Sequence, residues 1–406
     1  MRIVFDTLPT LETPKTMHGN LKVLLILLLL ISFIDSRTEA QIQTGASRTQ
    51  EYTPFLKGRK VGLVVNSGSR IGNQYLPDSL LKMGIQVKKI FAPEHGFRQS
   101  KDAGQAFGNF TDSTTQVPVI SLYGKHVQPD STDLADLDMV IFDLQDVGVR
   151  FYTYISTLHY VMKACAHWGK PLIILDRPNP NGAYVQGPVL DTAFRSFIGM
   201  HPVPVLYGMT IGEYARMVKG ENWIHESKPI RLEIISLGHY RHDLPYSLPY
   251  PPSPNLPNDL SIILYPSLCL FEGTQISIGR GTEFPFQVFG SPDMNAGNFI
   301  FTPHSIEGKS THPLLENQNC RGYDLRKKGE LNSGPIGGFS LKYILLAYSE
   351  YKGKSPFFVP FFNKLAGNNI LRSQIENGMS EKEIRSSWKP ELEKFLAIRE
   401  KYLLYP

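Results

Sequence analysis

Short apolar runs, each closed by a polar turn or a glycine-proline turn, recur from about residue 58 to residue 240. Val61-Gly62-Leu63-Val64-Val65 predicts a strand ending at Asn66-Ser67-Gly68. A helix is expected around Asp78 to Met83, closed by Gly84. The run from Val87 to Phe91 predicts the next strand. Ala92-Pro93 stops it, because proline cannot donate to a ladder, and Glu94-His95-Gly96 follows at once. Further strands are expected at 117–122, ending at Tyr123-Gly124, and at 137–142, ending at Asp143-Leu144-Gln145-Asp146. The second of these runs is almost continuously apolar, as in a strand buried on both faces. Leu158, Val161, Met162 and Cys165 then share one face of a long helix, about 155–168. Strands at 171–175, ending at Asp176-Arg177-Pro178-Asn179, and at 231–235 complete the series.

Strands alternating with helical or loop segments predict an α/β fold with a doubly wound, mostly parallel sheet and a second, smaller α/β domain. Parallel strands place their carboxyl ends along one edge, where ligands bind. Asn66, Glu94, Tyr123, Asp143 and Asp176 are therefore expected on a common edge. Downstream, Thr210 and Glu213 form a capping box, as do Ser380 and Glu383, and a last helix starts at Pro390. The proline-dense stretch Pro249 to Pro257 sets the expected boundary between a catalytic domain at 58–257 and a C-terminal domain at 258–406 that closes the cleft. Residues 41–57 are polar and are expected to be a linker.

The N-terminus changes the picture. Lys22 precedes the apolar run Val23 to Ile31, which is short for a membrane span, and Glu39-Ala40-Gln41 follows. This predicts a signal peptide over 1–40 with cleavage after Ala40, and Met17 is an alternative start. The expected product is exported, periplasmic or secreted, with no stable membrane association after cleavage. Its three cysteines, Cys165, Cys269 and Cys320, are no disulfide framework.

Charge and motifs remove several classes. A net charge of +5 without a dense basic block gives no support for nucleic-acid binding. There is no Walker loop. Gly279-Arg280-Gly281 lacks the third glycine of a dinucleotide fingerprint and does not follow the first strand. No cofactor is expected. A Gly-x-Ser-x-Gly elbow is absent, and so is a His-Glu-x-x-His pair, so neither a serine hydrolase nor a metal site is predicted.

Carboxylates remain. Glu94, Asp143, Asp146 and Asp176 gather at the expected edge, with Glu272 and Glu283 in the second half. Glycoside hydrolysis uses such pairs: one acid protonates the leaving oxygen, and the other attacks the sugar or activates water. Asp143 and Asp176 would equally suit a helix cap or an ion pair with Arg150 or Arg177. Glu94 differs, because a glutamate between Pro93 and His95-Gly96 serves no evident turn or cap. A carboxyl partly withdrawn from water holds its proton more tightly, as a general acid requires. Phe151-Tyr152-Thr153-Tyr154, Tyr123, Tyr207 and Tyr265 offer aromatic faces for a sugar. Arg150, Arg177 and Arg280 are suited to an anionic substituent.

Several motifs are shared with one family. They are Ala92-Pro93-Glu94-His95-Gly96, Ser121-Leu122-Tyr123-Gly124, the run from Phe142 to Tyr154, Leu175-Asp176-Arg177-Pro178-Asn179-Pro180, Pro252-Ser253-Pro254-Asn255, Glu272-Gly273-Thr274, Ser277 to Thr282, and Pro285-Phe286. Over about residues 58–406 the chain resembles the exo-β-N-acetylmuramidase NamZ family, formerly a family of unknown function. The resemblance implies a Rossmann-like N-terminal domain. It also implies removal of β-1,4-linked N-acetylmuramic acid from the non-reducing end of peptidoglycan fragments, whether muropeptides or glycan disaccharides. Glu94 occupies the motif of the family's proposed catalytic glutamate and is the expected general acid. Asp143 is the first choice for a second carboxylate, with Asp176 behind it. Asn66, His95, Tyr123, Gln145, Arg150, Tyr152, Arg177, Asn179, Glu272 and Arg280 are the expected substrate-binding residues, with Arg150, Arg177 and Arg280 aimed at the lactyl carboxylate. One departure is Asn368-Asn369, where Thr-Asp is expected. Two rival functions stay open: a non-catalytic muropeptide-binding protein on the same fold, and a metal-dependent hydrolase using His95. Retention, inversion and assistance by the substrate's acetamido group are equally open.

Overall fold

Every strand expected from the pattern forms, and all join one sheet. In this computed structural model, residues 41–98, 107–327, 331 and 337–406 are described. The expected leader, residues 1–40, lies outside them. The sheet strands are β1 (Lys60–Val65), β2 (Gln86–Ala92), β3 (Phe110–Thr111), β4 (Pro118–Ser121), β5 (Met139–Asp143), β6 (Leu172–Leu175) and β7 (Leu232–Ile235). Their order is β7-β6-β5-β1-β2-β4-β3. All neighbours pair in parallel except β3, which runs antiparallel to β4.

Period-two alternation feeds two cores. Val61, Leu63 and Val65 of β1 and Met139 and Ile141 of β5 pack on one face of the sheet. Val64, Val140 and Phe142 pack on the other. Helix α1 (Thr49–Leu56) covers the first face through Tyr52 and Leu56, both fully buried. Residues 45–56 are therefore built into the fold and are not the linker their polarity suggested. A few apolar residues at helical spacing suffice when the sheet beneath supplies the rest of the core. Helix α2 (Leu76–Lys82) precedes β2. Helix α3 (Ser131–Leu134) is a single turn before β5, held by a capping box between Asp130 and Asp133. Helix α4 (Tyr154–His167) covers the second face with Leu158, Val161, Met162 and Cys165. Helix α5 (Ile211–Gly220) begins at the expected capping box of Thr210 and Glu213, and the box at Ser380 and Glu383 forms as well.

The smaller part that follows opens with helix α6 (Asp259–Leu268). It carries a three-stranded antiparallel sheet of β8 (Val288–Ser291), β9 (Phe299–Phe301) and β10 (Cys320–Asp324), in the order β8-β10-β9. Its helices include α7 (Lys342–Glu350) and α8 (Phe362–Ala366). Leu264, Phe271, Ile344 and Phe362 from this part lie in the same core as Phe142 and Leu158, so residues 42–406 form one compact unit. The proline-dense stretch is packed, not free: Asn255 is 2% exposed, and the Tyr152 hydroxyl donates to Pro252 O at 2.7 Å. No described helix is long and apolar enough to cross a membrane.

Candidate active site

Glu94 follows β2, where Pro93 ends the strand. His95 and Gly96 both turn left-handed, with φ of 71° and 79°. A residue with a Cβ reaches that region seldom, and such conformations collect at functional sites. The turn leaves Glu94 half-buried on the wall of a cavity of about 570 Å³. The Thr153 hydroxyl donates to Glu94 Oε2 at 2.9 Å. Thr153 stands at the start of α4 yet makes no cap, so its hydroxyl serves the carboxylate instead. The Tyr123 hydroxyl, at the end of β4, is also hydrogen-bonded to Glu94. Burial and that carboxylate push its pKa up.

The walls are aromatic. Tyr152 meets Tyr265 edge-on at 6.0 Å, Tyr265 meets Phe286 at 4.9 Å, and Phe151 meets Tyr265 at 5.9 Å. From the second half of the chain come Glu272 and Arg280, which line the same cavity. Arg280 Nε and Nη2 both reach Glu272 Oε1, at 2.9 and 2.5 Å, and the guanidinium lies 5.0 Å above the Phe286 ring.

The common strand-end edge thus exists, but burial divides it. Glu94, His95, Tyr123, Tyr152, Glu272 and Arg280 reach the cavity. Asn66, Asp143, Gln145, Arg150, Asp176, Arg177 and Asn179 do not line it and are at most 5% exposed. Their side chains hold the strand-end loops. Asp143 is fully buried in a bidentate pair with Arg177, whose Nε and Nη2 lie 2.5 and 2.8 Å from its oxygens. An arginine so engaged has no fork left for a lactyl group, and this Asp143 is no partner across a cleft for Glu94. Arg150 is fully buried and donates to the carbonyls of Pro188, Val203, Leu365 and Ala366. Asn66 Nδ2 donates to Gln145 O at 3.3 Å, Gln145 Nε2 donates to Pro178 O at 2.9 Å, and Asn179 Nδ2 donates to Met209 O at 2.9 Å. Gly148 lies so close to Asn179 that a Cβ would fall 2.1 Å from its Oδ1, and its φ is +74°.

Asp176 is a structural hub. Its carboxylate accepts from Thr210 Oγ1 (2.7 Å), Gly212 N (2.7 Å) and Tyr405 OH (2.6 Å), tying the start of α5 to the chain's C-terminal end. Burial pushes this carboxyl up to about 7, against the hydrogen bonds from Tyr405 and Thr210. An acid with a higher pKa folded than unfolded (about 3.9) binds its proton preferentially in the native state. Its pH-dependent contribution is full below about pH 4 and is lost as pH rises to about 7. The stability of the parent protein minus that of Asp176→Asn is therefore expected to fall between pH 5 and 7, by on the order of 1 kcal/mol per pH unit. Urea unfolding of both proteins across that range checks it, and a flat difference would contradict the assignment.

Residues 61–260 match the family model for the N-terminal part of exo-β-N-acetylmuramidase NamZ, and residues 263–405 match the model for its C-terminal part. The chain belongs to the NamZ family. Among its relatives is the peptidoglycan β-N-acetylmuramidase NamZ of Bacillus subtilis (strain 168), 36% identical over 386 residues, which span 90% of this chain and 92% of the relative. Two crystal structures of DUF1343 family proteins from Bacteroides fragilis NCTC 9343 share the fold. One has a TM-score of 0.82 at 43% identity and the other 0.73 at 26%; each comparison covers 90% of this chain and 99% of the other. At Asn368, where threonine is the expectation, Oδ1 accepts from the backbone N–H groups of Ile370 and Leu371 at 3.0 and 2.9 Å, a role that a threonine hydroxyl also fills.

Sequence reasoning missed several wall residues. Thr153 stands where a helix cap is expected, so its sequence position gives no sign that its hydroxyl turns to Glu94 instead. Asn255 sits in the proline-dense stretch and is anchored by its Nδ2 to Lys309 O at 2.7 Å. Lys309, Ser310, Thr311 and His312 come from a loop after β9, and no local pattern connects that loop with Glu94.

Proposed function

We propose that this chain is an exo-acting glycosidase that releases β-1,4-linked N-acetylmuramic acid from the non-reducing end of peptidoglycan fragments, with Glu94 as general acid. The observation that carries the reading is the Glu94 carboxyl, held by Thr153 and Tyr123 on the wall of an aromatic cavity. The name of the Bacillus subtilis relative supports the substrate class. Glu94 gives its proton to the glycosidic oxygen as the bond from that oxygen to the anomeric carbon breaks. Water then bonds through its oxygen to that carbon and gives up one proton to the base that assists it, leaving the new hydroxyl. Among the described residues, Glu272 is the other carboxylate on the cavity wall, with Arg280 fixing its orientation. It is the protein group available to assist water, and the substrate's acetamido group is the alternative. Lys309 places positive charge on the wall, which suits the lactyl carboxylate, whereas the Nε and Nη2 of Arg280 are taken by Glu272.

Incubation with a muramyl-glucosamine disaccharide and with an aryl N-acetylmuramide tests the proposal. Free N-acetylmuramic acid is the expected product of both. Binding without turnover across a pH series would favour the muropeptide-binding alternative. Export belongs to the same proposal, with the run Val23 to Ile31 as the apolar core of a leader. Sequencing the exported protein should find Gln41 first, and a mature chain that keeps this run would refute it.

A further inference from the structure

Past Tyr123, toward the β3 edge of the sheet, lies a second hollow of about 520 Å³, with Phe107, Asn109, Ser121 and Lys125 on its walls. Tyr123 lines both this hollow and the Glu94 cavity, and its hydroxyl is hydrogen-bonded to Glu94. Tyr123 is therefore a wall common to the two spaces, beside the acid. A general acid stands at the bond it helps to break, with one sugar on each side. If the Glu94 cavity takes the terminal sugar, the rest of the substrate has to leave past the acid.

We infer that the second hollow is the subsite for the leaving sugar, a neutral amino sugar held through its hydroxyl and acetamide groups. The inference rests on the exo-glycosidase reading above. Ser121 is 4% exposed, and its Oγ has no hydrogen-bond partner. A buried hydroxyl left unpaired is costly, and a sugar hydroxyl reaching it would satisfy it. Beside it, Asn109 takes the Ser121 N–H on its Oδ1 at 3.0 Å, which fixes the amide at the rim. Lys125 is exposed and adds an ammonium donor. Phe107 and Tyr123 supply ring faces for the apolar side of a pyranose. Polar groups converging beside aromatic surface are what a sugar site needs.

Ser121→Ala and Lys125→Ala, made separately in the full chain, test the inference on two substrates. The disaccharide places an amino sugar in the hollow. An aryl N-acetylmuramide puts a flat ring there, without hydroxyls. Each variant is expected to lose roughly five- to tenfold in kcat/KM on the disaccharide, the scale of one hydrogen bond. Turnover of the aryl substrate should stay within about twofold of the parent. Ser121→Ala removes an unpaired hydroxyl, so its thermal stability should not fall, which separates a binding loss from misfolding. Equal losses on both substrates, or none on either, would overturn the leaving-sugar assignment while the glycosidase reading stands. A parent protein that cleaves neither substrate overturns the glycosidase reading and this inference with it.

Discussion

Glu94→Gln should lower kcat on the disaccharide by at least ~100-fold while leaving the fold intact, the usual scale for losing a general acid. The amide has nearly the same shape and keeps an oxygen for the Thr153 hydroxyl, so the cavity survives. What it lacks is the proton for the glycosidic oxygen. The signature of that role is a dependence on leaving group. With a nitrophenyl aglycone, which leaves without protonation, the variant should recover much of the loss. A steady-state comparison of the two substrates reads this directly. Turnover of the disaccharide at the parent rate would sink the assignment. An equal loss on both substrates would give Glu94 a role other than proton donor.

Arg150→Ala should cost at least about 3 kcal/mol of folding stability. The side chain is 0% exposed and has no carboxylate partner in its hydrogen bonds. Burial pushes the guanidinium pKa down to about 9, which still leaves it charged at neutral pH. Its hydrogen bonds join loops after β6 to the carboxyl-terminal end of α8, where the last helix carbonyls have no intrahelical partners. Truncation would leave buried carbonyls unpaired and open a cavity, and both effects destabilise. Lysine should rescue little, since its single ammonium cannot span the carbonyls that the planar fork reaches. Urea unfolding of the alanine and lysine variants measures the loss. An unchanged midpoint with a raised KM would instead restore Arg150 to the substrate.

The two experiments bear on residues from two of the shared motifs, yet opposite outcomes are expected. Glu94 and Arg150 both look functional in sequence: each is a charged residue in a distinctive motif near a strand end. The structure separates them by where the side chain goes. After a strand the chain turns, and the side chains of a turn follow no period. Asp143 finds Arg177 across a separation of 34 residues, and Asp176 finds Tyr405 across 229. Neither partner is visible locally, and such buried pairs use the same residue types that catalysis uses.

By itself the sequence determined the parallel sheet, its common edge, the capping boxes, the place of Glu94 and the family. These follow from short-range periodicity, from turn chemistry and from long motifs, all of which are local. Tertiary structure alone decided which polar groups on that edge face the cavity, that residues 45–56 join the core, and that Asn255, Lys309 and His312 complete the wall. Those outcomes depend on which distant segments meet. A buried charge must find its partner wherever the fold brings one, and no spacing along the chain records that meeting.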